Sequence, residues 1–133
     1  MKNRNLIIKI FIGIIAILIC VLVYFNTGLK GFEREIDNIE LSENVKKIAI
    51  KSDIGDSGGN GNQSTYRVVL VVKTEMTISE LNNELENKSL TFNYYITECK
   101  GRVFESPRSF KLTFDKLDGI NDFSVYYFIE FIK

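Results

Sequence analysis

The stretch TYRVVLVVKTEMTISELNNELENK, residues 65–88, decides the fold. Residues 65–75 are dense in valine, whose branched Cβ favours extended backbone, which suits a central strand covered on at least one face. The pattern changes at Met76. Thr77 can cap a helix and Glu80 falls three residues later, the spacing of a capping box, with Met76 and Leu81 placed as a hydrophobic staple. Ile78, Leu81 and Leu85 form one apolar stripe, and Lys88 suits the negative end of the helix dipole. The spacing predicts a strand followed directly by a helix over 78–88.

Three further strands are expected downstream. Residues 90–98 alternate Leu90, Phe92, Tyr94 and Ile96 inward, and residues 109–116 alternate Phe110, Leu112 and Phe114 against Lys111, Thr113 and Asp115. Residues 122–132 set Phe123, Val125, Tyr127, Ile129 and Phe131 against Ser124, Tyr126, Phe128 and Glu130. Lys100–Gly101 and Asp118–Gly119 supply turns, and Pro107 falls in a connection. Upstream, residues 45–51 read as a short strand with Ile48 and Ile50 on one face and Lys47, Ala49 and Lys51 on the other. The order of elements predicts an α+β domain: a mostly antiparallel sheet of about five strands with a helix on one face. Because the last strand carries aromatics on both faces, Tyr126 and Phe128 belong either to core or to an exposed patch for a partner.

Before this domain the chain is of another kind. The run LIIKIFIGIIAILICVLVYF, residues 6–25, is apolar except for Lys9. A helix of that length rises about 30 Å, the thickness of a bilayer's hydrocarbon core. Lys9 lies within a turn of one end, where its long side chain can reach the headgroups, and Tyr24 is an interfacial type at the other. No pair of small residues follows at a signal-peptidase spacing, and Ile19 stands before Cys20 where a lipobox requires a small residue. The expectation is an uncleaved transmembrane anchor contacting lipid through residues 6–25. Lys2, Arg4 and Lys9 precede or enter the span, against Lys30 and Arg34 just after it, which places the N-terminus in the cytoplasm. The implied organisation is a cytoplasmic tail over 1–5, the anchor, a juxtamembrane linker or helix over 26–44, and an extracytoplasmic domain over 45–133. Phe32, Ile36 and Ile39 recur at helical spacing within the juxtamembrane part, after a short link NTGLKG.

Charge narrows the function. The chain holds 17 basic and 17 acidic residues, but the three bases of residues 1–25 leave the remainder with net charge −3. No basic patch remains to neutralise phosphates, which argues against a nucleic-acid partner. The richness in Ile, Lys and Asn, with His 0 and Trp 0, has the character of an AT-rich bacterial genome.

Chemistry-bearing motifs are few. Residues 55–59, GDSGG, match the string around the nucleophile of trypsin-like proteases, but Ser57 has no histidine anywhere in the chain to take its proton. No catalytic residue and no cofactor is expected. Asp53, Asp56, Asn60 and Asn62 form a thin set of oxygen ligands for calcium, and an EF-hand begun at Asp56 finds Arg67 where its twelfth position needs Glu. Gly58, Gly59, Asn60, Gly61 and Asn62 otherwise read as a loop entering a strand, with backbone freedom for a tight connection. Cys20 falls in the span and Cys99 outside it, so the two cannot pair.

Over residues 40–85 the sequence resembles a loose group of small membrane-anchored proteins of low-GC Gram-positive bacteria. The shared pattern is a strand (45–51), a Gly-Asn-Gly-Asn loop (Gly59 to Asn62), an apolar strand (66–73) and an acidic helix (78–88). The resemblance implies location and architecture but no activity. The functional expectation is a non-enzymatic, membrane-anchored binding or regulatory module whose partner is another envelope protein or a secreted protein. Its candidate contact residues are the loop 58–62 together with Tyr126 and Phe128. The alternatives are a structural subunit of an envelope complex and a membrane-bound hydrolase.

Overall fold

The computed structural model describes residues 2–56, 64–106 and 110–133. A single helix, α1, runs from Lys2 to Asp37. Two strands follow, β1 (Lys46–Asp56) and β2 (Ser64–Lys73), then helix α2 (Ile78–Glu86). The chain continues through β3 (Asn93–Glu98), β4 (Val103–Glu105), β5 (Lys111–Thr113), a 3-10 turn (Asp115–Leu117) and β6 (Tyr126–Ile132).

The fold is α+β, with a four-stranded sheet in the order β1-β2-β6-β3. Every pairing in it is antiparallel. The expected single sheet of about five strands is corrected: β5 leaves the main sheet and pairs with β4 in a separate two-stranded ribbon. β4 escaped the sequence reading because three residues are too few to display a period.

Both faces of the sheet are covered, which explains the valines of β2. Val68, Leu70 and Val72 enter one apolar cluster and Val69 and Val71 the other, all at most 1% exposed. The first cluster lies between the sheet and the helices, joining Phe32 and Ile36 of α1 with Leu81 and Leu85 of α2. The second lies beneath the ribbon and unites Phe104, Phe110, Phe114 and Leu117 with Phe128 of β6. Burying each such side chain contributes about 1.5–3 kcal/mol, so these ten- and eight-residue clusters carry much of the fold's stability.

Helix α2 forms as its sequence dictates. Thr77 Oγ1 accepts from the Glu80 amide, and Glu80 returns the bond by accepting from the Thr77 amide at 2.7 Å. Met76 and Leu81 both pack in the first cluster, as a staple requires, whereas Ile78 is 38% exposed and lies outside it. The expected end at residue 88 shortens to Glu86.

Three local expectations change. β1 extends past the expected end at residue 51 to Asp56, while Gly58, Gly59, Asn60, Gly61 and Asn62 lie outside the described residues. A register shift between Lys47 and Ala49 sends Ile48 with Ala49 to the second cluster, while Ile50 packs on the first; the two isoleucines therefore do not share a face. The link NTGLKG is helical, and α1 passes through it without a break.

That continuity joins the apolar helix to the domain. None of the apolar segment from Ile7 is buried against the rest of the protein, while Leu29, Phe32 and Ile36 are buried in the same helix. The core thus begins well before residue 45. Gly28 permits the approach: a Cβ there would lie 2.3 Å from Tyr66 Oη. Further along, Phe32 stacks edge-on against Phe92 at 5.2 Å beneath the Lys133 amine, and Lys133 pairs with Glu35 at 2.7 Å. Ser52 donates to Glu33, and Lys47 donates to the Asp37 carbonyl.

Candidate functional site

The second face of the sheet holds the feature least expected of an apolar core. In-and-out alternation along β2 sets Arg67 on the same side as Val69 and Val71, beneath the ribbon. The residue is 1% exposed. β6 brings Glu130 opposite Val69, and the Arg67 guanidinium reaches its carboxylate at 3.2 Å. Glu130 is itself 5% exposed.

The pair is held from several sides. Ser106, at the end of β4, accepts from the same guanidinium nitrogen at 3.3 Å, and the Phe110 ring lies 5.2 Å from the guanidinium carbon. Gly55 of β1 supplies room, since a Cβ there would stand 2.7 Å from Arg67 Nε. Among the described residues Nε has no hydrogen-bond partner, a cost of about 1–3 kcal/mol. Two charges removed from water pay a desolvation penalty that mutual attraction only partly offsets, so this pair is a poor device for stability alone.

Beside it opens a cavity of about 260 Å³, smaller than the usual site for a drug-sized ligand. Arg67, Glu130 and Ser106 supply its polar groups, and Tyr95, Phe104 and Ile132 its apolar walls. Tyr95 stands 58% exposed. Chemically the arrangement offers a matched positive and negative group with a hydroxyl and an aromatic wall. It can orient a small polar group by hydrogen bonds.

The residues singled out from sequence fall elsewhere. Asp53 is exposed on β1 and accepts from the Ile54 amide at 2.8 Å. Asp56 ends β1, while Asn60 and Asn62 lie outside the described residues, as does Ser57. Among the described residues no group of three or more His, Cys, Asp or Glu side chains is gathered for a metal. Phe128 is 3% exposed and packs between Phe104 and Phe114 at ring distances of 5.3 and 5.6 Å. Tyr126 is half-buried, with the Lys73 amine 5.5 Å from its ring centre. Cys99 is buried, and its thiol donates to the Gly101 carbonyl at 3.0 Å; desolvation pushes the thiol pKa up, against a smaller downward pull from the Gly101 backbone.

Arg67 and Glu130 were missed as a pair. The available signal is a lone base at the head of RVVLVV and a lone acid within YYFIEFI, opposite charges in the two most apolar strands. Compared with protein-family models, with curated proteins and with solved structures, the chain matches none.

Proposed function

We propose that this protein is a single-pass membrane protein whose α+β domain serves, outside the cytoplasm, as a binding or regulatory module without catalytic activity. The observation that carries the reading is α1 itself. One face-to-face-packed half of it belongs to the core, and the other half is an apolar cylinder left bare along its length, the signature of a segment solvated by lipid. A bare apolar helix in water would expose far more contiguous apolar surface than a soluble monomer carries. Lys2, Arg4 and Lys9 at the N-terminal end of the helix favour a cytoplasmic N-terminus by the positive-inside bias.

The binding part rests on the cavity beside Arg67 and Glu130. A buried ion pair costs stability relative to apolar replacements of the same volume, and recognition of a polar ligand or partner group is a reason to keep one. The partner expected is an envelope or secreted protein that offers a small polar group to the cavity. No histidine is available as a general base, which favours binding over hydrolysis.

The test is affinity capture from cross-linked membranes with full-length protein, beside two variants: Tyr95→Ala at the cavity wall and a replacement of residues 57–63 by a short neutral turn. A partner held by the parent and lost from Tyr95→Ala supports the cavity as the recognition element. Loss only from the loop replacement moves recognition to the hairpin tip. Retention by both, or capture of nothing, sinks the binding reading. Topology is checked separately with Glu75→Cys, an exposed position, and a membrane-impermeant thiol reagent on intact cells.

A further inference from the structure

The direction of α1 along the sheet fixes which end of the domain meets the membrane. Gly28 lies against Tyr66, Glu33 against Ser52 and Asp37 against Lys47. In the β1–β2 hairpin Tyr66 pairs with Ile54, Ser52 comes two residues earlier in β1, and Lys47 stands near the far end opposite Val72. The helix therefore enters over the hairpin's closing end and travels toward the end that carries Lys46 and Lys73. Its bare apolar half projects past the strand ends Asp56 and Ser64.

Distances make this contact rather than mere orientation. From Phe25, the last residue of the apolar run, to Gly28 a helix rises about 4.5 Å. From the Ile54–Tyr66 pair, two more residues of strand extend about 7 Å toward the same side. The headgroup layer on each side of a bilayer is about 5–7 Å thick. With Ser52 held against Glu33 as well, the strand ends reach about the level of Phe25, at the edge of the headgroup layer. The helix has no break between the two halves that could swing the domain away.

The side chains at this end suit that position. Outside α1, the exposed large apolar residues among those described are Ile54, Ile78 and Tyr95, and Ile54 stands at the closing end of the hairpin. Beside it Tyr66 is half-buried with its hydroxyl at Gly28, and Tyr24 is 73% exposed on the helix just below. Tyrosine is the side chain that prefers the headgroup level, with an apolar ring and a polar tip.

We propose that the closing end of the β1–β2 hairpin, through Ile54 and Tyr66, is a lipid-contacting surface seated in the headgroup layer of the bilayer that α1 spans. This rests on the reading of α1 as a membrane span. The domain then stands on the membrane along the strand axis, with Glu75 and Lys46 at the top, about 25 Å away.

The experiment uses full-length protein in phosphatidylcholine nanodiscs, with Cys20 replaced by Ala and the buried Cys99 left in place. Single cysteines at Ile14→Cys, Ile54→Cys and Glu75→Cys carry an environment-sensitive fluorophore, and Asp53→Cys is a second reporter at an exposed position beside Ile54. Quenching is read with nitroxides attached either to the headgroup or deep in the acyl chain. Position 14 should be quenched by the deep nitroxide, and positions 54 and 53 several-fold more than 75 by the headgroup nitroxide. If position 14 is quenched deep but 54, 53 and 75 respond equally, the surface assignment is overturned while the span stands. If position 14 escapes the deep nitroxide, the span reading falls and takes this proposal with it.

Discussion

Replacing Phe32 by Ala tests whether the lower part of α1 belongs to the domain or only leads to it. Phe32 is 2% exposed in the cluster that holds Leu81, Leu85, Ile129 and Phe131. Removing a buried phenyl ring costs about 3–5 kcal/mol, the lost transfer energy plus the cavity left behind. The edge-on contact with Phe92 and the Lys133 amine 5.4 Å from the ring are also lost, and each such contact contributes about 0.5–1.5 kcal/mol. In a domain of roughly 100 residues, 1 kcal/mol moves the melting midpoint by ~4–8 °C, so even the lower bound shifts it by about 12 °C. The chain has no tryptophan, so near-ultraviolet circular dichroism of the tyrosines in detergent micelles follows the core, where Tyr66, Tyr94 and Tyr127 pack on this cluster. Leu18→Ala, at a position 57% exposed on the bare half of the same helix, is the control and should leave the midpoint unchanged. A Phe32→Ala protein that melts within ~1 kcal/mol of the parent refutes the placement of α1 in the core.

Four more outcomes are expected. Gly55→Val drives a branched side chain onto Arg67 and should cost about 1–3 kcal/mol in urea unfolding, a loss that Arg67→Met in the same chain relieves. Glu130→Ala strands the Arg67 charge and should cost about 3–5 kcal/mol, whereas Arg67→Met with Glu130→Leu should cost much less; equal costs would remove the pair from consideration. Glu80 and Asp122 have pKa values lowered by backbone hydrogen bonds, from Thr77 and Ser124, with the side-chain bonds second. Their contribution is therefore full above the unfolded carboxylate range near pH 4 and fades as pH falls through the lower folded values, so melting points should drop between about pH 5 and 2. Thr77→Ala should lessen the acid sensitivity. Cys99, buried and with its thiol pKa raised, should resist maleimide at neutral pH until urea opens the domain, followed by mass spectrometry.

What could be read from sequence was local, and what could not was decided by packing across the chain. The capping box at Thr77 and Glu80 needs only four residues and forms as written. The alternation of β6 holds from Tyr126 to Ile132, but Phe123 precedes the strand and packs on the second cluster, opposite to the expected side. Nothing in residues 45–51 announces the bulge that parts Ile48 from Ile50, because it answers to a register set by β2. The ribbon shows the same limit. Phe110, Leu112 and Phe114 alternate as expected and face the second cluster, yet their hydrogen-bonding partner is a three-residue strand rather than the main sheet. Arg67 and Glu130 become a pair only once β2 and β6, 63 residues apart at these positions, lie side by side.

The link NTGLKG carries the larger lesson. Glycine costs about 1 kcal/mol in a helix interior, and two of them within four residues read as an end to the anchor. That penalty is small beside the burial of Leu29, Phe32 and Ile36, each contributing about 1.5–3 kcal/mol once the helix lies on the sheet. Gly28 also removes the side chain that would collide with Tyr66, so the residue that weakens the helix locally is the one that lets it dock. A flexible tether would leave the domain free to sample many orientations over the bilayer. A docked helix gives it one, with the Arg67–Glu130 cavity on the face opposite α1 and, on the proposed membrane reading, the hairpin's closing end toward the lipid. On the binding reading proposed above, recognition would take place at a fixed height and azimuth above the membrane, which would suit a partner that is itself held there.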